Sequence, residues 1–170
     1  ITGLPAGYPS LLHDLKQRIR AAQVKAAFSA NQELLLLYWG IGRELDLRCE
    51  REAWGSSVID RLARDLQNAF SSMEGLSPRN LRRMRVFYRA YPLLKPSRAI
   101  RPQAVAKTAA THWPPAVARL PWAHQVILLE KCKDPEIRSW YAQAALGYGW
   151  SRNVLALQIE SQLHRRQGKA

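Results

Sequence analysis

Gly75-Leu76-Ser77-Pro78-Arg79-Asn80-Leu81-Arg82-Arg83-Met84-Arg85-Val86-Phe87-Tyr88-Arg89-Ala90-Tyr91 is the stretch on which the reading of this chain turns. Glycine ends whatever precedes it. Ser77 then offers a side-chain oxygen to the first free amides of a helix, and Pro78 sits where a missing N–H costs nothing. Pro92 stops the helix after Tyr91. At 100° per residue, Leu81, Met84, Phe87, Tyr88 and Tyr91 fall on one face, and Arg79, Arg82, Arg83, Arg85 and Arg89 on the other. The result is a helix with an apolar back and an arginine front.

The segment before it is also helical. Gly55 with Ser56 or Ser57 starts a helix whose Val58, Ile59, Leu62, Ala63, Leu66, Ala69 and Phe70 span an arc of about 140°. Joined by the Ser71–Leu76 turn, the two resemble a helix-turn-helix unit. Further upstream, Ser10 is expected to cap a helix with Leu12, Leu15, Ile19, Ala22 and Ala26 in one stripe, and Asn31 to break it. A second stretch from Gln32 to Arg51, nearly all apolar in its first turns, predicts a central buried helix. Its Gly40 and Gly42 are expected to permit a close helix crossing, since no strand precedes them to make a phosphate loop.

Downstream, five prolines between residues 92 and 118 (Pro92, Pro96, Pro102, Pro114, Pro115) interrupt any period. A single domain over 1–170 is expected, with halves 1–92 and 116–170 joined by a linker over 93–115. Helices resume over Trp122–Cys132, from Asp134-Pro135 to about Leu146, and from Ser151 to about Arg166. The fold class is therefore all-α, with six to seven helices. Gly149-Trp150-Ser151-Arg152-Asn153-Val154-Leu155 echoes Gly75–Leu81: glycine, an apolar residue, a serine cap, then Arg-Asn in the first turn. Duplicated units and capping chemistry reached twice both explain the echo.

Charge narrows the function. The 170 residues carry 26 Lys+Arg against 13 Asp+Glu, a net charge of +13, which makes anionic partners the default, nucleic acid before acidic membrane. From Gly75 to Leu129 there is no Asp or Glu, and ten Lys or Arg stand in that stretch. Arg79, Asn80, Arg82, Arg83, Arg85 and Arg89, with Arg98, Arg101, Arg152 and Asn153, are the candidate nucleic-acid-binding residues. A solvated basic face, or contact with an acidic protein, is the competing reading. Tyr88, Tyr91, Trp113 and Trp122 are read as core aromatics more readily than as base-stacking platforms.

No catalytic pattern emerges. His13, His112, His124 and His164 are scattered without metal-ligand spacing, and His124 is expected to be a structural, hydrogen-bonded histidine. Cys49 and Cys132 have no close-spaced Cys or His partner and read as free thiols. No metal, no cofactor and no catalytic residue is expected. The longest apolar run, Leu34 to Gly42, is too short to span a bilayer. No signal pattern is seen, so a cytoplasmic protein without a membrane partner is expected.

Several runs carry a resemblance. Asn31-Gln32-Glu33-Leu34 with Leu37-Tyr38-Trp39-Gly40-Ile41-Gly42, Trp54-Gly55-Ser56-Ser57-Val58-Ile59, Gly75–Leu81 with Met84–Tyr88, Leu120-Pro121-Trp122-Ala123-His124, and Trp150-Ser151-Arg152-Asn153 are similar to the N-terminal domain of bacterial YhcG-like proteins. The resemblance implies a domain placed before a C-terminal nuclease domain of the PD-(D/E)XK type. It implies a DNA-linked role, non-catalytic by itself, and makes that nuclease domain a partner. It carries over no catalytic residue: Lys131 and Lys133 follow Glu130 at the wrong spacing and on a predicted helix. The alternative function is oligomerisation or partner docking through the heptad-like first helix and the Leu-rich second, with a homo-oligomer as one outcome.

Overall fold

The computed structural model describes residues 7–92 and 113–167. Among the described residues there are eight helices and no strand: α1 (Tyr8–Arg51), α2 (Ser56–Ala69), α3 (Pro78–Ala90), α4 (Pro115–Arg119), α5 (Trp122–Lys131), α6 (Pro135–Tyr148), α7 (Arg152–Glu160) and α8 (Leu163–Arg166). The all-α reading holds.

Two expected helices are one. α1 runs 44 residues without a break, about 66 Å at 1.5 Å per residue. Gly7 is its N-cap, so Ser10 lies inside the helix rather than capping it. Asn31, expected to break it, turns its side-chain amide outward and donates to the Leu120 carbonyl at 3.3 Å. A polar residue in a helix is tolerated when its side chain finds such a partner instead of competing for its own backbone.

Asn31 also marks where α1 enters the body. Every residue from Tyr8 to Ala30 is exposed, and from Leu35 onward one side of the helix is buried. Leu35, Trp39, Phe87, Trp113, Val117 and Leu129 form one cluster, joining α1 and α3 to α4, α5 and Trp113. Tyr38, Leu45, Ile59, Ala63, Leu81 and Met84 form a second, where α2 and α3 lie against α1. The third cluster holds α4 to α8 together around Leu128, Tyr141, Ala145 and Leu155. The aromatics fill these clusters: Phe87 meets Trp113, Trp122 and Tyr91 edge to face, and Tyr88 meets Trp39.

Gly42, as expected of the glycine pair, allows the close crossing. A methyl group built on it would overlap the backbone carbonyl of Met84 on α3. Gly40 plays no such part, since a methyl there meets nothing within 4 Å.

The end of the chain differs from expectation at two points. The proline-rich region yields a short helix, α4, because Pro115 is its first residue, where proline starts helices as readily as it stops them. The last expected helix is split at Gln162, whose φ is 53°.

Candidate nucleic-acid interface

α3 begins as its sequence predicts. The Ser77 hydroxyl accepts from the Asn80 amide at 3.2 Å, and Gly75 takes the left-handed conformation at φ 89°. A side chain at Gly75 would also overlap the Tyr38 hydroxyl, so glycine is required there twice over. α2, the turn and α3 thus form two helices joined through a glycine-containing turn.

Asn80 departs from its expected role. Its side chain is buried, donates to the Gly75 carbonyl at 2.6 Å and accepts from the Trp122 indole N–H at 2.9 Å. It is a brace that ties the turn to α5 and has no free edge for a ligand. Asn80→Ala leaves the indole and the carbonyl without these partners. The expected loss is about 2 kcal/mol, read as a lower urea midpoint at unchanged m-value.

The five arginines split into two sets. Arg85 and Arg89 both donate to Oδ1 of buried Asp46 on α1, at 3.0 and 2.7 Å. Arg82 pairs with Asp60 on α2 at 2.6 Å, and Arg83 with Glu130 on α5 at 2.5 Å. Arg79 is the most open, 77% exposed and 3.9 Å from Glu130. The face expected to point freely outward is thus laced to three neighbouring helices.

Arg79, Arg82 and Arg83 still share a concave surface. With Lys133 and Glu130 they rim a groove of about 280 Å³ between α3 and α5, floored by Val86, Val126 and Leu129. Four cationic side chains stand there against one carboxylate. Lys133 was not anticipated; it follows α5 in sequence and reaches the groove only through the packing of α5 on α3.

The second turn repeats the first in geometry. Gly149 is left-handed at φ 64°, Ser151 accepts from the Val154 amide at 3.3 Å, and Leu155, like Leu81, is fully buried. The Arg-Asn pair is shifted by one residue relative to the caps, so Asn153 is exposed where Asn80 is buried. No hydrogen bond or ion pair joins Arg152 or Asn153 to the α3 arginines among the described residues. Arg98 and Arg101 lie outside the described residues.

Two of the histidines make defined hydrogen-bond contacts. The buried His124 ring sits 2.8 Å from the Trp150 carbonyl, as its structural reading requires, and His164 sits 2.8 Å from the Tyr141 hydroxyl. Burial pushes the Cys132 thiol above its usual range, against the lowering pull of Arg138 and Lys131, which disfavours the reactive thiolate. No group of three potential metal ligands occurs among the described residues, and no helix there is long and apolar enough to cross a membrane.

Together these features define an all-α domain with an arginine-lined groove beside a capped helix. The chain belongs to the family described as DUF1016 N-terminal domain, which matches residues 14–166. It is similar to a protein of Escherichia coli (strain K12) named "Putative nuclease YhcG", at 29% identity over 181 residues, covering 96% of this chain and 48% of the relative. The chain therefore spans about half the length of the curated relative it matches. No solved structure matches.

Proposed function

We propose that this chain is a DNA-binding and targeting domain, non-catalytic by itself, of a larger nuclease-type protein whose PD-(D/E)XK domain supplies the cleavage. The carrying observation is the groove at the exposed side of α3, where Arg79, Arg82, Arg83 and Lys133 surround an apolar floor. Two helices joined through residues 70–77 present that side as a helix-turn-helix with a lengthened turn presents its recognition helix, with N-terminal residues toward the groove of a duplex. Arginine suits both phosphates and guanine edges. The excess charge of +13 adds sequence-independent attraction. The name of the half-matched relative supports the nuclease context. Arg152 and Asn153, exposed in the first turn of α7, are a second contact in this reading, as are Arg98 and Arg101.

Binding to a short duplex, followed by fluorescence anisotropy across a salt series, tests the proposal. Four phosphate contacts give a slope of log Kobs on log salt of about −3.6. Arg79→Glu with Lys133→Glu is expected to weaken binding more than tenfold at low salt and to flatten the slope by about 2. Both residues are peripheral to the core, so the melting temperature should hold. Unchanged affinity and slope would remove α3 as the docking helix.

A further inference from the structure

The exposed half of α1 has no role in the groove, yet its pattern is regular. Tyr8, Leu12, Leu15, Ile19, Ala22 and Ala26 are spaced four and three residues apart in alternation, the spacing of a helix seam that packs on another helix. Every residue from Tyr8 to Ala30 is exposed, including Leu15 and Ile19 at 41% and 57%, and the helix meets the body only on its opposite face, where Val24 and Phe28 line a shallow pocket with Arg119 of α4. A helical arm with so little tertiary support is marginal in water.

The same stripe continues past Asn31 on the side of α1 turned away from Leu35, Trp39 and Gly42. There it passes Glu33, Leu37, Gly40 and Glu44. Leu37 is 46% exposed, and beside it lies an apolar groove of about 420 Å³ lined by Leu36, Leu37, Gly40 and Ile41 of α1 with Leu62 and Leu66 of α2. Along one line on one helix there is thus an apolar ridge at the N-terminal end and an apolar groove at the body end.

Charge follows the same polarity. The ridge is flanked by Lys16, Arg18 and Lys25, which make no ion pair among the described residues, whereas the body end of the stripe carries Glu33, with Glu44 beyond it paired to Arg43 at 2.9 Å. We infer that two copies of this chain pair through α1 in antiparallel orientation, the arm of each lying along the groove of the other. With Tyr8 placed over the partner's Gly40, where a side chain meets open space, Ala22 falls opposite the partner's Ala26. The smallest residues then stand at the crossing, where two backbones come closest. Lys16 and Arg18 fall beside the partner's Glu33. The interface is isologous and closes at two copies. A parallel pair would leave both grooves empty and set two basic arms side by side. This pairing uses neither α3 nor its groove, so it stands or falls independently of the DNA-binding reading.

Sedimentation velocity of the 170-residue chain over a concentration series tests it, and a reversible monomer–dimer equilibrium is expected. Ile19→Asp, at a position outside the chain's own core, is expected to weaken the dimer roughly a hundredfold with an unchanged circular dichroism spectrum. Arg18→Glu and Glu33→Arg should each weaken it, and the two together should restore it. In a Cys49→Ser background, Tyr8→Cys with Gly40→Cys should cross-link into a dimer on oxidation, and Tyr8→Cys alone should not. A monomer at about 100 μM, a dimer indifferent to Ile19→Asp, a charge swap without rescue, or cross-linking by Tyr8→Cys alone would each overturn the pairing.

Discussion

Gly42→Ala is expected to destabilise the protein by about 3 kcal/mol, lowering the melting temperature by roughly 6–12 °C. The added methyl has nowhere to go. It overlaps the Met84 carbonyl and approaches the Arg85 amide, which belong to the backbone of α3 and cannot rotate aside. Relief requires α1 and α3 to move apart, and that opens the packing of Leu81, Met84 and Phe87, all fully buried. Close-packed interiors transmit such a shift rather than absorb it. Gly40→Ala, half a turn away, is the control. Its methyl meets no atom within 4 Å, so relief of the glycine penalty in a helix is expected to add about 0.5–1 kcal/mol. Urea melts of the two variants should therefore move in opposite directions. Two destabilised variants, or two unaffected ones, would mean that the crossing is not closest at Gly42.

The contrast between the two glycines shows where sequence reading stops. Helix starts at Ser77-Pro78, Asp134-Pro135 and Ser151 are legible because their chemistry is local: a side-chain oxygen reaches an amide two or three residues on. The apolar face of α3 is legible for a similar reason, since period alone places Leu81, Met84 and Phe87 together. What decides Asn31 is the Leu120 carbonyl, 89 residues away in sequence, and nothing near Asn31 announces it. The arginine face misleads in the same way. The stretch from Gly75 to Leu129 is free of acids, but Asp46, Asp60 and Glu130 arrive from α1, α2 and α5 and take up four of the five guanidinium groups. Counting charge along a window measures composition, whereas the field at a surface depends on what the fold brings alongside. Lys133 was missed on the same ground.

Asp46 is where fold and site compete most directly, and Asp46→Asn is expected to move stability and DNA affinity in opposite directions. Gly42 lets α3 approach α1, and one turn further along α1 the Asp46 carboxylate meets Arg85 and Arg89 on a single oxygen. Asparagine keeps the shape but loses the charge that holds both guanidinium groups. Charge-assisted bonds of this kind contribute about 1.5–3 kcal/mol each where buried. Arg85 and Arg89 are 22% and 55% exposed and can turn to water, so the net loss is expected to be about 2 kcal/mol. Arg85, and Arg89 with only Glu50 left at 4.0 Å, then extend the cationic row on α3 beyond Arg79, Arg82 and Arg83. If a duplex lies along that helix, the salt slope should steepen by about 1–2, and affinity at low salt should rise several-fold. Arg85→Ala and Arg89→Ala separate the two effects, since either should reduce stability without any gain in binding. A destabilised Asp46→Asn variant with an unaltered salt slope would place the C-terminal half of α3 away from the bound duplex. Contact would then be confined to the groove that Arg79, Arg82, Arg83 and Lys133 surround.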